Sequence, residues 1–236
     1  MRLRLLSLFA GFLVPLVFSA SALAFGPYTA GSTGVDVSWP NCSVKQPTGV
    51  SFGVVGVTGG KNFTSNPCLS KQASWFKNLS LYLNTGYPGL TYALQYQNTP
   101  KQCDSGDQGC VAYNYGYNAA LYAFNYAKSQ KVASDTWWLD VETTNTWLSD
   151  SNQNVQNLTG VIDALKNNGV VNQGIYSTTY QWTYITLGWQ NNLPSWGATT
   201  WRTAKQAATY CTGHQFTGGQ TWLLQYSGKL DQDYAC

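Results

Sequence analysis

The chain has 236 residues, 44% of them hydrophobic and 15% aromatic, enough to bury a core and to exclude a disordered chain. Charged residues are only 10%, against about a quarter in an average soluble domain. The formal net charge is +3 with no basic run, which excludes nucleic acid as the main partner. Taken in chain order, Arg2 and Arg4 precede an apolar stretch at 5–18 and the small-residue cleavage signal Ala22-Leu23-Ala24. A signal peptide is therefore expected over 1–24, leaving a nearly neutral secreted domain at 25–236 with no membrane association after cleavage.

Runs rich in β-branched and aromatic residues predict strands at 34–39, 51–58, 79–85, 136–143, 173–178, 195–199 and 221–227. Helical periodicity predicts helices at 69–77, 111–130, 151–168 and 201–210. In the third helix Val155, Leu158, Ile162 and Leu165 form one apolar stripe, and Gly169 is placed to end it. Strands alternating with helices imply an α/β fold, a single (β/α)-barrel with its site at the C-terminal ends of the strands. Six cysteines in an exported chain read as disulfides, and proximity pairs Cys42–Cys68, Cys103–Cys110 and Cys211–Cys236. With one histidine, His214, and no C-x-x-C, neither a metal site nor any other cofactor is expected.

Glu142 is the only glutamate, and it follows Trp137-Trp138-Leu139-Asp140-Val141. Residues two apart on a strand share a face, so Asp140 and Glu142 point the same way at a strand end. Asp36 in Gly34-Val35-Asp36-Val37-Ser38 and Asp231 in Leu230-Asp231-Gln232-Asp233 occupy similar places. Carboxylates gathered without metal or histidine are the equipment of glycoside hydrolysis. Partial burial and the charge of Asp140 are expected to raise the pKa of Glu142. Aromatic residues near strand ends suit the C–H faces of sugars, and Trp39, Tyr82, Trp147, Tyr176, Trp182 and Trp196 are candidates.

These segments, with Gly174-Ile175-Tyr176-Ser177 and Trp222-Leu223-Leu224-Gln225-Tyr226, resemble the glycoside hydrolase family 25 lysozymes, and the order holds over nearly all the exported chain. The resemblance implies an irregular barrel with antiparallel late strands and cleavage of the β-1,4 bonds of peptidoglycan by an N-acetylmuramidase-like reaction. It implies Glu142 as the acid and Asp140 as its catalytic partner, either nucleophile or stabiliser of the substrate's acetamido group. Asp36, Asp231, Tyr82, Tyr176, Trp39 and Trp182 are expected to bind substrate. The chain departs from the family in Leu81-Tyr82-Leu83-Asn84, which keeps the tyrosine of the usual Tyr-His but loses the histidine, at Asp233, where asparagine is usual, and in the long insertion at 86–110. The partner expected is thus a polysaccharide, peptidoglycan, met by a monomer. The alternative is a non-catalytic wall-polysaccharide-binding protein on the same scaffold.

Overall fold

The computed structural model describes residues 26–236, and the signal segment expected at 1–24 lies outside them. Eight strands follow one another around a closed barrel: β1 (Thr33–Val37), β2 (Phe52–Gly56), β3 (Leu79–Asn84), β4 (Thr136–Asp140), β5 (Asn172–Ser177), β6 (Ser195–Ala198), β7 (Thr221–Tyr226) and β8 (Gln232–Ala235). Neighbours from β1 to β7 are parallel, while β8 runs antiparallel to both β7 and β1 and closes the ring. Only one strand is antiparallel where late strands in the plural were expected. The helices are α1 (Leu69–Ala73), α2 (Leu90–Ala93), α3 (Gln108–Ser129), α4 (Ser151–Asn167), α5 (Thr179–Thr186) and α6 (Ala204–Ala208).

The period of two along each strand sorts its side chains between two cores. Outward residues Val37, Leu81, Leu83, Trp137, Leu139 and Ile175 pack under the helices. Inward residues Phe52, Val54, Trp138, Trp196 and Leu223 fill the barrel. Their polar handles are satisfied inside: Trp138 Nε1 donates to Tyr28 Oη at 3.0 Å, and Tyr28 Oη meets Ser80 Oγ at 2.6 Å. Gly174 makes room for this filling, because a Cβ there would lie 2.2 Å from the Trp138 ring. The same alternation puts Asp140 on the inner face of β4, above Trp138.

Helices α3 and α4 meet with almost no side-chain layer between them. A Cβ on Gly160 would lie 2.0 Å from the Tyr113 carbonyl oxygen, and one on Gly116 would lie 2.0 Å from that of Asn157. Gly160→Ala gains about 1 kcal/mol of helix propensity but forces the backbones apart at a cost of about 1–3 kcal/mol. Because the clash is against backbone, the upper part of that range applies. A lower melting temperature than wild type is the expected outcome, and an unchanged or higher one would contradict this packing.

All three disulfides pair as sequence proximity indicated, Cys42–Cys68, Cys103–Cys110 and Cys211–Cys236. β4 is shorter than predicted, since its pairing stops at Asp140 and a turn begins where Asn145 N–H donates to the Glu142 carbonyl at 3.0 Å. α6 shrinks to five residues behind the Thr203 cap. α5 and β8 were not expected as regular elements. The described residues contain no helix long and apolar enough to cross a membrane.

Candidate active site

The C-terminal ends of the parallel strands surround a cleft of about 270 Å³. Asp36 from β1, Tyr82 from β3, Asp140 from β4, Tyr176 from β5, Trp196 from β6 and Gln225 from β7 line it. Glu142, two residues beyond the end of β4, and Asp231, just before β8, also line it, with Ser38, Pro40 and Asn41. The four acids singled out in the sequence thus share one cavity, and no lysine or arginine lines it.

A polar scaffold fixes the acids. Asn84 donates through Nδ2 to Asp140 Oδ2, and its own Oδ1 accepts from Thr58 Oγ1 at 2.6 Å. Thr85 Oγ1 donates to the Asp140 carbonyl at 2.6 Å. On the opposite wall Gln225 Nε2 donates to Asp36 Oδ2 at 2.9 Å, while Gln225 Oε1 accepts from the Tyr176 hydroxyl at 2.9 Å. The Asp36 N–H donates to the Asp231 carbonyl at 3.1 Å, which links β1 to the segment entering β8. Beneath them Asp233 is fully buried and accepts from Trp196 Nε1 at 2.8 Å.

Every one of these carboxyls is held above its ordinary pKa, with burial as the first cause. Asp36 is pushed up to about 7 by burial and then by the charge of Asp231, against the hydrogen bond from Gln225. Asp140 is raised well above the carboxylate range by burial and then by the charge of Glu142. Glu142 is likewise raised, first by burial. Removing the Gln225 donor by Gln225→Ala is expected to raise the Asp36 pKa further, a change that carbon-detected NMR titration of the carboxyl would register. A downward shift would contradict the assigned bond.

The aromatic candidates separate. Tyr82, Tyr176 and Trp196 line the cleft, with the Tyr176 and Trp196 rings 4.5 Å apart. Trp39 does not line it but stands at the rim, 49% exposed, between Ser38 and Pro40, which do. Trp147 is half-buried, packs against the core and donates its indole N–H to the Glu142 carbonyl at 2.8 Å. Trp182 has to be withdrawn as a substrate-binding residue. Helix α5 turns it inward, where it is 0% exposed and stacked against Trp189 with ring centroids 6.1 Å apart. No face of that ring is open to a sugar. Asn84 and Gln225 are the polar residues missed as parts of the site. Period two from Tyr82 would have reached Asn84, whereas nothing in the sequence aims Gln225 at Asp36.

Comparison with known proteins follows this geometry. The family model described as lysozyme-like protein 1 matches residues 109–218, just under half of the chain, which includes Asp140, Glu142, Tyr176 and Trp196 but neither Asp36 nor Asp231. Among solved structures, a muramidase from Trichobolus zukalii is 16% identical and superposes with a TM-score of 0.58, covering 87% of this chain and 93% of that one. The bacterial lysozyme from Streptomyces coelicolor is 18% identical with a TM-score of 0.55, covering 88% and 93%. A glycosyl hydrolase 25 of Streptococcus pneumoniae is 15% identical with a TM-score of 0.54, covering 87% of each chain. No curated protein matches by sequence.

Proposed function

We propose that this chain, a divergent lysozyme-like barrel similar to those of glycoside hydrolase family 25, is a secreted glycosidase that hydrolyses the β-1,4 bonds of peptidoglycan. The observation that carries the reading is the meeting of Asp36, Asp140, Glu142 and Asp231 in one cleft at the end of the barrel where such sites form. A non-catalytic wall-binding protein would need the aromatic walls of this cleft. It would have no use for four acids gathered in one cleft with Asp140 buried and no cation beside it.

Glu142 serves as general acid on the leaving oxygen. Asp140, raised well above the carboxylate range, holds a proton while the site is empty. Arrival of the sugar displaces water and gives Asp140 a new partner, the acetamido N–H. Asp140 then accepts as a carboxylate and its proton passes to Glu142, which is now more deeply buried and donates it to the departing oxygen. Asp140 is thereby charged opposite the positive centre that develops as the bond breaks, and the acetamido oxygen or the carboxylate itself traps that centre. Asp36, fixed by Gln225, and Asp231 flank the same centre from the opposite wall.

Incubation with purified peptidoglycan and mass analysis of the released fragments tests this reading. Fragments with new N-acetylmuramic acid reducing ends are expected. Retention on peptidoglycan with no release of reducing ends would select the non-catalytic alternative.

A further inference from the structure

A second cavity, of about 440 Å³, opens on the same end of the barrel. We infer that it receives a carboxylate-bearing substituent of the glycan, with Lys61 as the charge partner; this rests on the glycosidase reading above and adds the part of the substrate that confers selectivity. The cavity is walled by the β2–α1 loop at Lys61 and Asn62, by Thr85 after β3 and Tyr92 in the insertion, and by the β4–α4 loop at Asn145. It shares a wall with the acid cleft. Thr85 Oγ1 and Asn145 Nδ2 both donate to the Asp140 carbonyl, at 2.6 and 3.2 Å, so the backbone of the acid pair separates the two spaces. A group attached to a sugar held over Asp140 and Glu142 has this cavity as its neighbour.

The walls are built rather than loose. Asn62 Nδ2 donates to the Gly86 carbonyl at 2.7 Å, and Tyr87 N–H donates to that of Thr146 at 2.8 Å, which ties all three loops together. Next to Asn62, Phe63 is held at a φ of 55°, a left-handed conformation costly for a bulky side chain. Stacking on Tyr96 at 5.2 Å and an edge contact with Tyr115 at 5.2 Å hold it there.

Charge selects the occupant. Lys61 is the only lysine or arginine lining either cavity, and its side chain is exposed. An anionic substituent entering the acid cleft meets four carboxyls and no cation, whereas in the second cavity it meets an ammonium beside neutral amide, hydroxyl and phenol groups. A peptide stem with free carboxylates has this chemistry, and an unsubstituted neutral glycan lacks it.

The test uses peptide-bearing peptidoglycan fragments with their carboxylates intact or capped as methylamides. Wild type is expected to favour the intact form in kcat/KM by about fivefold, the scale of one exposed ion pair, and to lose that preference in high salt. Lys61→Gln should bring the ratio close to one, and Lys61→Arg should keep it. Equal rates of wild type on both forms, or a preference that survives Lys61→Gln, would overturn the inference while leaving the glycosidase reading intact. If wild type cleaves neither form, both fall together.

Discussion

Glu142→Gln is expected to lower kcat on peptidoglycan at least ~10²-fold, the low end of what general acid catalysis contributes, with glycan binding retained. The amide keeps the shape of the side chain but has no acidic proton to give. The loss should be greatest on substrates with poor leaving groups and smaller where the leaving group departs as a stable anion, because only the former depends on protonation. That contrast separates lost acid catalysis from a damaged fold, which would depress both alike. Wild-type rates on a poor leaving group would remove Glu142 from the acid role.

Thermal stability is expected to fall as the pH rises from about 5 to 8, with Tm dropping by at least about 5 °C. The sign follows from proton counts. Asp36, Asp140, Glu142, Asp231 and Asp233 all hold their protons more tightly in the fold than in the unfolded chain, so the native state binds more protons across this range. Their contribution is complete below the ordinary value of 3.8 for an aspartate, and the part due to Asp36 is lost as the pH passes about 7. Asp150 works the other way, held low by its cap hydrogen bonds to Gln153, but it is exposed and its effect is small. Asp233→Asn keeps an acceptor for the Trp196 indole and removes one proton-dependent group, so it should flatten the profile. A Tm that is constant or rises between pH 5 and 8 would contradict the burial of these acids as neutral groups.

The parts of the site that sequence made legible are those governed by strand alternation. Trp138 and Asp140 share one face of β4 because residues two apart must, and an apolar run before an acid marks the strand end, just beyond which Glu142 follows. The β-α rhythm and the cysteine spacing were readable for similar reasons, being local. Helix α5 was not. Its Thr179–Thr186 sequence is rich in threonine, tyrosine, tryptophan and isoleucine, poor helix formers individually, and the Thr178 cap together with burial of Trp182 and Ile185 decides its form. That is why Trp182 looked like a sugar platform and proved to be core. β8 escaped because Gln232-Asp233-Tyr234-Ala235 has no strong strand pattern of its own; it is a strand because β1 and β7 present edges to it. Gln225 joins Asp36 across 189 positions of sequence, and no local pattern carries such a pairing.

The closing strand also bears on how the molecule is made. Thr33 pairs with Tyr234, so the seam of the barrel joins stretches about 200 residues apart, a contact whose loop-closure entropy makes it slow to form. Until β8 arrives, β1 and β7 are open edges able to pair with other chains. Cys211 and Cys236 lie on either side of β7 in the sequence, and their bond pins the end of β8 beside α6 once the seam has shut. Synthesis is directional, so the stretch laid down first waits for the one laid down last, and the nascent chain must be kept from its neighbours throughout that interval.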